Sequence, residues 1–222
     1  MTVDAFYQIV NYIINKSQQG NLSPANFNLL ANQSQTSYMD YLLGEFQQYQ
    51  YGRPVARVEF GANQTVRQRL TPFIYGYNLN VDVSGHAAYP YDFQQVDAMW
   101  NIQGNDRVRF VQQDYLYSYL QSKIDPVETN PIYLIEDIGF RFYPTNFGAA
   151  KLSYVKTPKE IKWAYTLDGN GRPVYDAANS IDPVWLDVDM LEIIARLLKM
   201  VGVNLQAAQV SQYANQITTN GQ

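Results

Sequence analysis

Apolar positions recur at helical spacing at the two ends of the chain and at strand spacing between them. Val3, Phe6, Tyr7, Val10, Ile13 and Ile14 fall three and four apart, which predicts an amphipathic helix from about Val3 to about Gln18. Thr2 is placed to cap it and Gly20 to stop it. Ser23-Pro24 then opens a second helix, with Ser as cap and Pro in the first turn. Phe27, Leu30, Ser34, Tyr38, Tyr41 or Leu42, and Phe46 continue one face to about Gln50, a rod of about 39 Å. Its other face is Asn, Gln and Ser rather than Lys and Glu, which suits a neighbour better than bulk water. Near the other end, Ser180, Asp182 and Pro183 introduce a helix marked by Val188, Leu191, Ile194, Ala195, Leu198 and Val201 and stopped at Gly202. A last helix is predicted from Asn204, with Leu205, Ala208, Val210, Tyr213 and Ile217 on its face.

The middle alternates. Leu79, Val81 and Val83 share one side of a strand, Ser84-Gly85 reads as a hairpin turn, and His86 to Tyr89 returns. Val96 to Ile102 and Val108 to Val111 predict a second hairpin through Gly104-Asn105. A helix follows from Gln113 or Asp114 to Ile124. Pro131 to Trp163 reads as an antiparallel meander: Ile132 to Glu136, then Phe140 to Tyr143, then Leu152 to Val155, with a fourth candidate at Ile161 to Tyr165. Asp168-Gly169-Asn170-Gly171 turns between two further extended arms. Tyr51 to Ala62 reads as a connection, and Gln64 to Leu70 as a short helix.

Neither terminal helix pair buries its stripe alone. The expected class is α+β: residues 1–70 and 181–222 form a four-helix bundle, and 71–180 form an inserted antiparallel β lobe with one helix near 113–124.

Composition narrows the functions open to such a chain. Charged residues make up 16% of its 222 residues, while 19 are tyrosine, so solubility rests heavily on Asn and Gln. Tyr, Asn and Gln suit contact surfaces of low charge. The net charge of −4 divides as +1 over residues 1–70, −3 over 71–180 and −2 over 181–222. With no basic tract, a protein that grips nucleic acid through its phosphates is not expected; a weakly acidic surface past which DNA slides is compatible. Four arginines, Arg53, Arg57, Arg67 and Arg69, form the one basic concentration. They suit either bidentate pairing with a partner's carboxylates or scattered solvated charge. Together with Tyr38 and Tyr41 they are the candidate interface residues. There are no cysteines, hence no disulfide framework and no thiolate metal site. The first twenty residues lack a positive leader, and no run of 18 apolar residues predicts a membrane span.

Catalytic patterns are weak. The one histidine, His86, shares a turn with Ser84, but no acid completes a triad. Asp187, Asp189 and Glu192 could suggest a hard-cation site, yet acids in a helix's first turn are favoured by its dipole. Asn78, Asn80 and Asp82 read as the wet face of a strand, and the Asp168 turn lacks the length and terminal Glu of a calcium loop. No phosphate-binding glycine motif is present. No metal or cofactor is expected, and no enzyme. A hydrolase with a spatially assembled carboxylate pair stays open, as does a glycan- or cell-surface-binding module using Tyr-rich sheet faces.

Several strand-and-turn motifs then occur in a telling order: Gly52-Arg53-Pro54 after the long helix, Tyr89-Pro90-Tyr91-Asp92-Phe93, and Phe140-Arg141-Phe142-Tyr143-Pro144. Gly148 with Leu152 to Pro158 follows, then Gly171-Arg172-Pro173-Val174-Tyr175-Asp176, then the helical pair from Asp182 to Tyr213. In this order the chain resembles the head-to-tail connector proteins of tailed bacteriophages, the adaptor or ring proteins of the tail-tubular-A kind. Among these it is most similar to ring proteins of crAss-like phages. The resemblance implies a structural virion protein, assembled in the host cytoplasm into a twelve-fold ring below the portal. It implies contacts with copies of itself, with the portal protein and with adjacent tail or ring proteins. It also implies a lumen that passes DNA without sequence-specific contact, no membrane, and no enzymatic activity.

Overall fold

The computed structural model describes residues 1–16, 20–47, 58–103, 106–121 and 126–202. The chain is α+β. In order it runs α1 (Val3–Lys16), α2 (Pro24–Gln47), α3 (Val58–Leu70), a 3-10 turn (Thr71–Phe73), β1 (Ile74–Asn80), β2 (His86–Ala88), β3 (Phe93–Asn101) and β4 (Arg109–Phe110). It continues with α4 (Gln113–Leu120), β5 (Ile132–Glu136), β6 (Gly139–Tyr143), β7 (Ala149–Lys156), β8 (Tyr165–Leu167), β9 (Pro173–Tyr175) and α5 (Asp187–Val201). It divides into two compact units: residues 1–72 with 158–222, and 73–157. The second boundary therefore lies at Pro158, not at residue 181, because the segment from Pro158 is held by α2. The fourth bundle helix expected from Asn204 lies outside the described residues.

In the first unit, α1 buries Val3, Phe6, Val10 and Ile14 of its predicted stripe, and α2 buries Phe27, Ser34, Tyr38 and Leu42 of its own, with Ala31 and Met39 buried beside them. Phe6 meets Phe27 edge to face at 5.0 Å. The caps form as expected: Thr2 Oγ1 accepts the Ala5 amide at 3.3 Å, and Ser23 Oγ accepts that of Asn26 at 3.3 Å. α3 starts at Val58, where a connection was expected through Ala62. A single interior glycine, Gly61, costs only about 1 kcal/mol and does not break a helix. In α5 the buried face is Met190, Ile193, Ile194, Leu197 and Leu198, while Val188 and Leu191 point outward. The predicted stripe is thus rotated, because Asp189 is taken into the interior (1% exposed).

The uncharged face of α2 has a neighbour inside its own chain. Asn28 donates to the Trp163 carbonyl at 3.1 Å and accepts its amide at 2.7 Å. One turn later Asn32 donates to the Ile161 carbonyl at 2.8 Å and accepts its amide at 2.8 Å. Gln35 then donates to the Lys159 carbonyl at 3.0 Å. Residues four and seven apart on a helix share a face, and here they pair an extended backbone as a neighbouring strand would. The fourth strand expected at Ile161 to Tyr165 is this segment, extended but bonded to a helix. Beyond it β8 and β9 form a two-stranded ribbon. Asp168 turns it by accepting the amides of Asn170 and Arg172 at 2.9 and 2.7 Å.

The second unit packs two sheets face to face. One has the order β1-β7-β3, the other β2-β6-β5-β4. Leu79, Met99, Leu152 and Tyr154 of the first meet Ala87, Tyr133, Phe140 and Phe142 of the second in one core. The far side of β5 is covered as well: Ile132 and Leu134 pack with Val111 and Leu116 of the α4 region. The expected meander does not form, since β6 leads to β7 in the opposite sheet. Nor do β1 and β2 pair, although Asp82 still closes the tight turn between them by accepting the His86 amide at 2.8 Å. Val83, expected on the inner face of that strand, is fully exposed. The second hairpin forms only at its end, by a Trp100–Arg107 bridge, after which β4 runs parallel to β5. Gly139 lets β2 approach β6, for a Cβ there would lie 2.2 Å from the Ala87 carbonyl oxygen.

Candidate functional site

The densest polar constellation in the first unit is buried where α2, α3 and α5 supply one group each. The Tyr38 hydroxyl donates to Asp189 Oδ1 at 2.8 Å. Arg69 donates through Nη1 to the Tyr38 oxygen at 3.1 Å and holds Nε 3.6 Å from Asp189 Oδ1. Burial, and then the bond to Asp189, push the Tyr38 phenol up to about 12. It therefore stays a proton donor at any ordinary pH. Trp185 leans on Tyr38 with ring centroids 5.1 Å apart and donates to Gln35 Oε1 at 3.2 Å. Arg196 lies over Tyr38 and Tyr41, 5.5 and 4.9 Å from their centroids, and bonds Ser37 Oγ at 3.1 Å and Glu192 Oε1 at 3.2 Å. With no solvent path to Tyr38 (0% exposed), these groups are arranged to fix three helices in register.

Sequence candidates are placed accordingly. Tyr38 is an interior residue, not a surface contact, because its hydroxyl has a buried carboxylate to serve. Arg69 is turned toward that carboxylate, whereas Arg67 and Tyr41 reach the surface. Arg53 and Arg57 lie outside the described residues. Asp187, Asp189 and Glu192 do not converge: Asp189 points inward to Tyr38 and Glu192 pairs with Arg196. Among the described residues no group of three or more His, Cys, Asp or Glu is placed to hold a metal ion. The signal for Asp189 was present in sequence only as a helix-start acid, which is also what an exposed one looks like.

In the second unit His86 Nδ1 lies 3.5 Å from Glu136 Oε2, and Arg141 Nη1 lies 3.8 Å from Glu136 Oε1. These are cross-strand neighbours on β2, β6 and β5. Ser84 instead donates to Asp82 Oδ1 at 2.7 Å. The Asp82 carboxyl is held below its usual range by the His86 backbone amide first and the Ser84 hydroxyl next. An open cleft of about 430 Å3 between β3 and β4 is lined by Asp97, Arg107, Arg109 and Tyr133. Its Asp97 is engaged by the Ser153 hydroxyl at 2.8 Å, and its Arg109 by the Asn130 side chain. Exposed aromatic residues include Tyr75 and Tyr77 on β1, and Tyr91 at the turn before β3.

No helix among the described residues is long and apolar enough to cross a membrane. Compared with known proteins, the sequence matches no protein-family model and no curated protein.

Proposed function

We propose that this chain is a structural subunit of a bacteriophage head-to-tail connector, forming a ring, of twelve copies, below the portal. The ring offers a channel for DNA and an attachment surface for the next tail component. The observation that carries this reading is the order of motifs from Gly52-Arg53-Pro54 through Tyr89–Phe93, Phe140–Pro144 and Leu152–Pro158 to Gly171–Asp176 and the helices beyond. In this reading the N- and C-terminal helices complete one bundle that docks on the portal or an adjacent ring. The net charge of −4 suits a lumen that does not retain DNA. Further support comes from exposed, uncharged aromatic and aliphatic residues on both units, Tyr75 and Tyr77 on one and Leu167, Val188 and Leu191 on the other. Surfaces of that composition are typical of residues covered in an assembly.

Electron microscopy of particles, or native mass spectrometry of the chain with its portal protein, tests the proposal. Ring-shaped density or a portal complex of many copies is the expected result. A chain that stays monomeric and fails to join portal assemblies would sink it. The exposed Tyr75, Tyr77 and Tyr91 also suit stacking on sugars, so a glycan-binding tail module is the competing proposal. It requires retention of the monomer on a glycan array.

A further inference from the structure

The ribbon of β8 and β9 pairs with no third strand among the described residues, and Tyr165, Leu167 and Val174 on it are all exposed. A two-stranded hairpin is marginal by itself in water. Its two outer edges differ chemically. The Asp168 amide bonds the Arg172 carbonyl, and the Asp176 amide bonds the Ala164 carbonyl, each at 2.9 Å. Bonded pairs alternate with unbonded ones in an antiparallel ladder, so Thr166 faces Val174 as a bonded pair. The backbone groups of Tyr165 and Leu167 then point away from β9. On β9 the position opposite Leu167 is Pro173, which has no N–H to offer, and that edge is blunted. Among the described residues the edge of β8 is open.

The second unit carries a matching edge. β1 is the outermost strand of its sheet, pairs residue for residue with β7 over seven positions, and contains no bulge, proline or charge. Those are the devices by which edge strands are normally protected. The opposite edge, β3, has two register shifts and is bridged near its end by Arg107. The Val81 amide bonds the Gly148 carbonyl at 2.9 Å, and the same alternation directs the backbone groups of Gly76 and Asn78 off the open side of β1. A Cβ built on Gly76 meets nothing within 4 Å. Neither β1 nor the two ribbon strands hold a charged residue, so pairing them desolvates no ion.

We infer that β8 of one copy adds to the open edge of β1 in a second copy, with Tyr165 and Leu167 bonding the backbone of Gly76 and Asn78. Backbone bonds supply the affinity, as in strand addition generally, and the exposed Leu167 gains cross-strand neighbours on β1. The joined surfaces are different, so the contact repeats head to tail and closes only if the rotation allows. It supplies the subunit contact of the proposed ring, and its closure rests on that reading.

The chain has no cysteine, so introduced thiols report only the designed contact. Mild oxidation of the full-length Gly76→Cys/Leu167→Cys variant is expected to give a ladder of covalent multimers on a denaturing gel. Each single variant is expected to stop at dimer or below. Leu167→Pro removes one outward N–H from the ribbon and is expected to abolish self-association in native mass spectrometry while leaving the circular dichroism spectrum unchanged. No ladder, a disulfide closed within one chain, or a Leu167→Pro protein that assembles like the parent overturns the pairing. Rings formed by the parent despite such a result leave the connector reading standing without this contact. A parent that neither self-associates nor joins portal protein removes both.

Discussion

Several side chains have roles that their sequence neighbourhood does not announce. Asp182 precedes α5 and reads as its start, yet its Oδ1 accepts the Val3 amide at 2.7 Å and so satisfies the first turn of α1. Asp189 looks like a dipole-favoured surface acid and is instead the buried acceptor for Tyr38. Tyr38→Phe removes that donor from a desolvated carboxylate. It is expected to cost about 1–3 kcal/mol, read by urea unfolding at neutral pH; a loss indistinguishable from zero would show that the bond contributes nothing net. The pH dependence has a definite sign. The phenol's folded pKa is raised from 10.0 to about 12, so the folded state keeps its proton where the unfolded state loses it. This contribution is complete below the unfolded value and is lost as pH climbs from about 10 toward about 12. The urea midpoint of the parent is expected to fall across that window, and that of Tyr38→Phe to fall less. Burial also raises Tyr133 and Tyr154, so the variant retains part of the slope.

At the level of elements, Asn28 and Asn32 of α2 show how a helix can act as a sheet edge. Each carboxamide turns one donor and one acceptor toward the segment, as a peptide unit does, and the four-residue spacing of Asn28 and Asn32 matches alternate residues of the extended segment, Trp163 and Ile161. Asn32→Asp keeps the acceptor for the Ile161 amide but sets a carboxylate against its carbonyl. Hydrogen exchange at the Ile161 and Trp163 amides is expected to accelerate in this variant while the β7 amides stay protected; unchanged protection would mean that the segment is held by the buried Ile161 and Trp163 side chains alone. Gly139→Ala forces a methyl into the Ala87 carbonyl, and backbone on both sides leaves little room to yield. A loss of at least about 1–3 kcal/mol is expected by thermal or urea unfolding, and near-parental stability would mean that β2 moves freely away from β6. Strand pairing is also where sequence reading went furthest wrong. Adjacent strands pair by default in most sheets, which favoured a meander through β5, β6 and β7. Alternation identifies a strand's buried face but not the partner beside it, and β7 found β1 and β3 across the core.

For the molecule as a whole, the discontinuous first unit and the inserted second unit each have their own interior. The core around Phe140, Phe142, Leu152 and Tyr154 is drawn wholly from residues 73–157. A fragment spanning those residues is therefore expected to fold alone, shown by dispersed amide resonances and a cooperative melt. A molten spectrum would show that this core depends on the first unit. Within the intact chain, Phe142→Ala empties a fully buried site and is expected to cost about 3–5 kcal/mol by urea unfolding.

Periodicity and turn chemistry alone were enough to specify the α+β class, the starts of α1 and α2, the caps Thr2 and Ser23, the stop at Gly202, the strands β5 and β6, and the turn at Asp168. These depend on contacts within a few residues, and local spacing records them. The pairing of β7 with β1 and β3, the inward turn of Asp189, the capping of α1 by Asp182 and the seating of Ile161–Trp163 on α2 join residues about 50 to 180 positions apart. Such contacts leave no period in the chain. They are selected only when folding brings buried polar groups and apolar faces together and leaves each one partner that satisfies it.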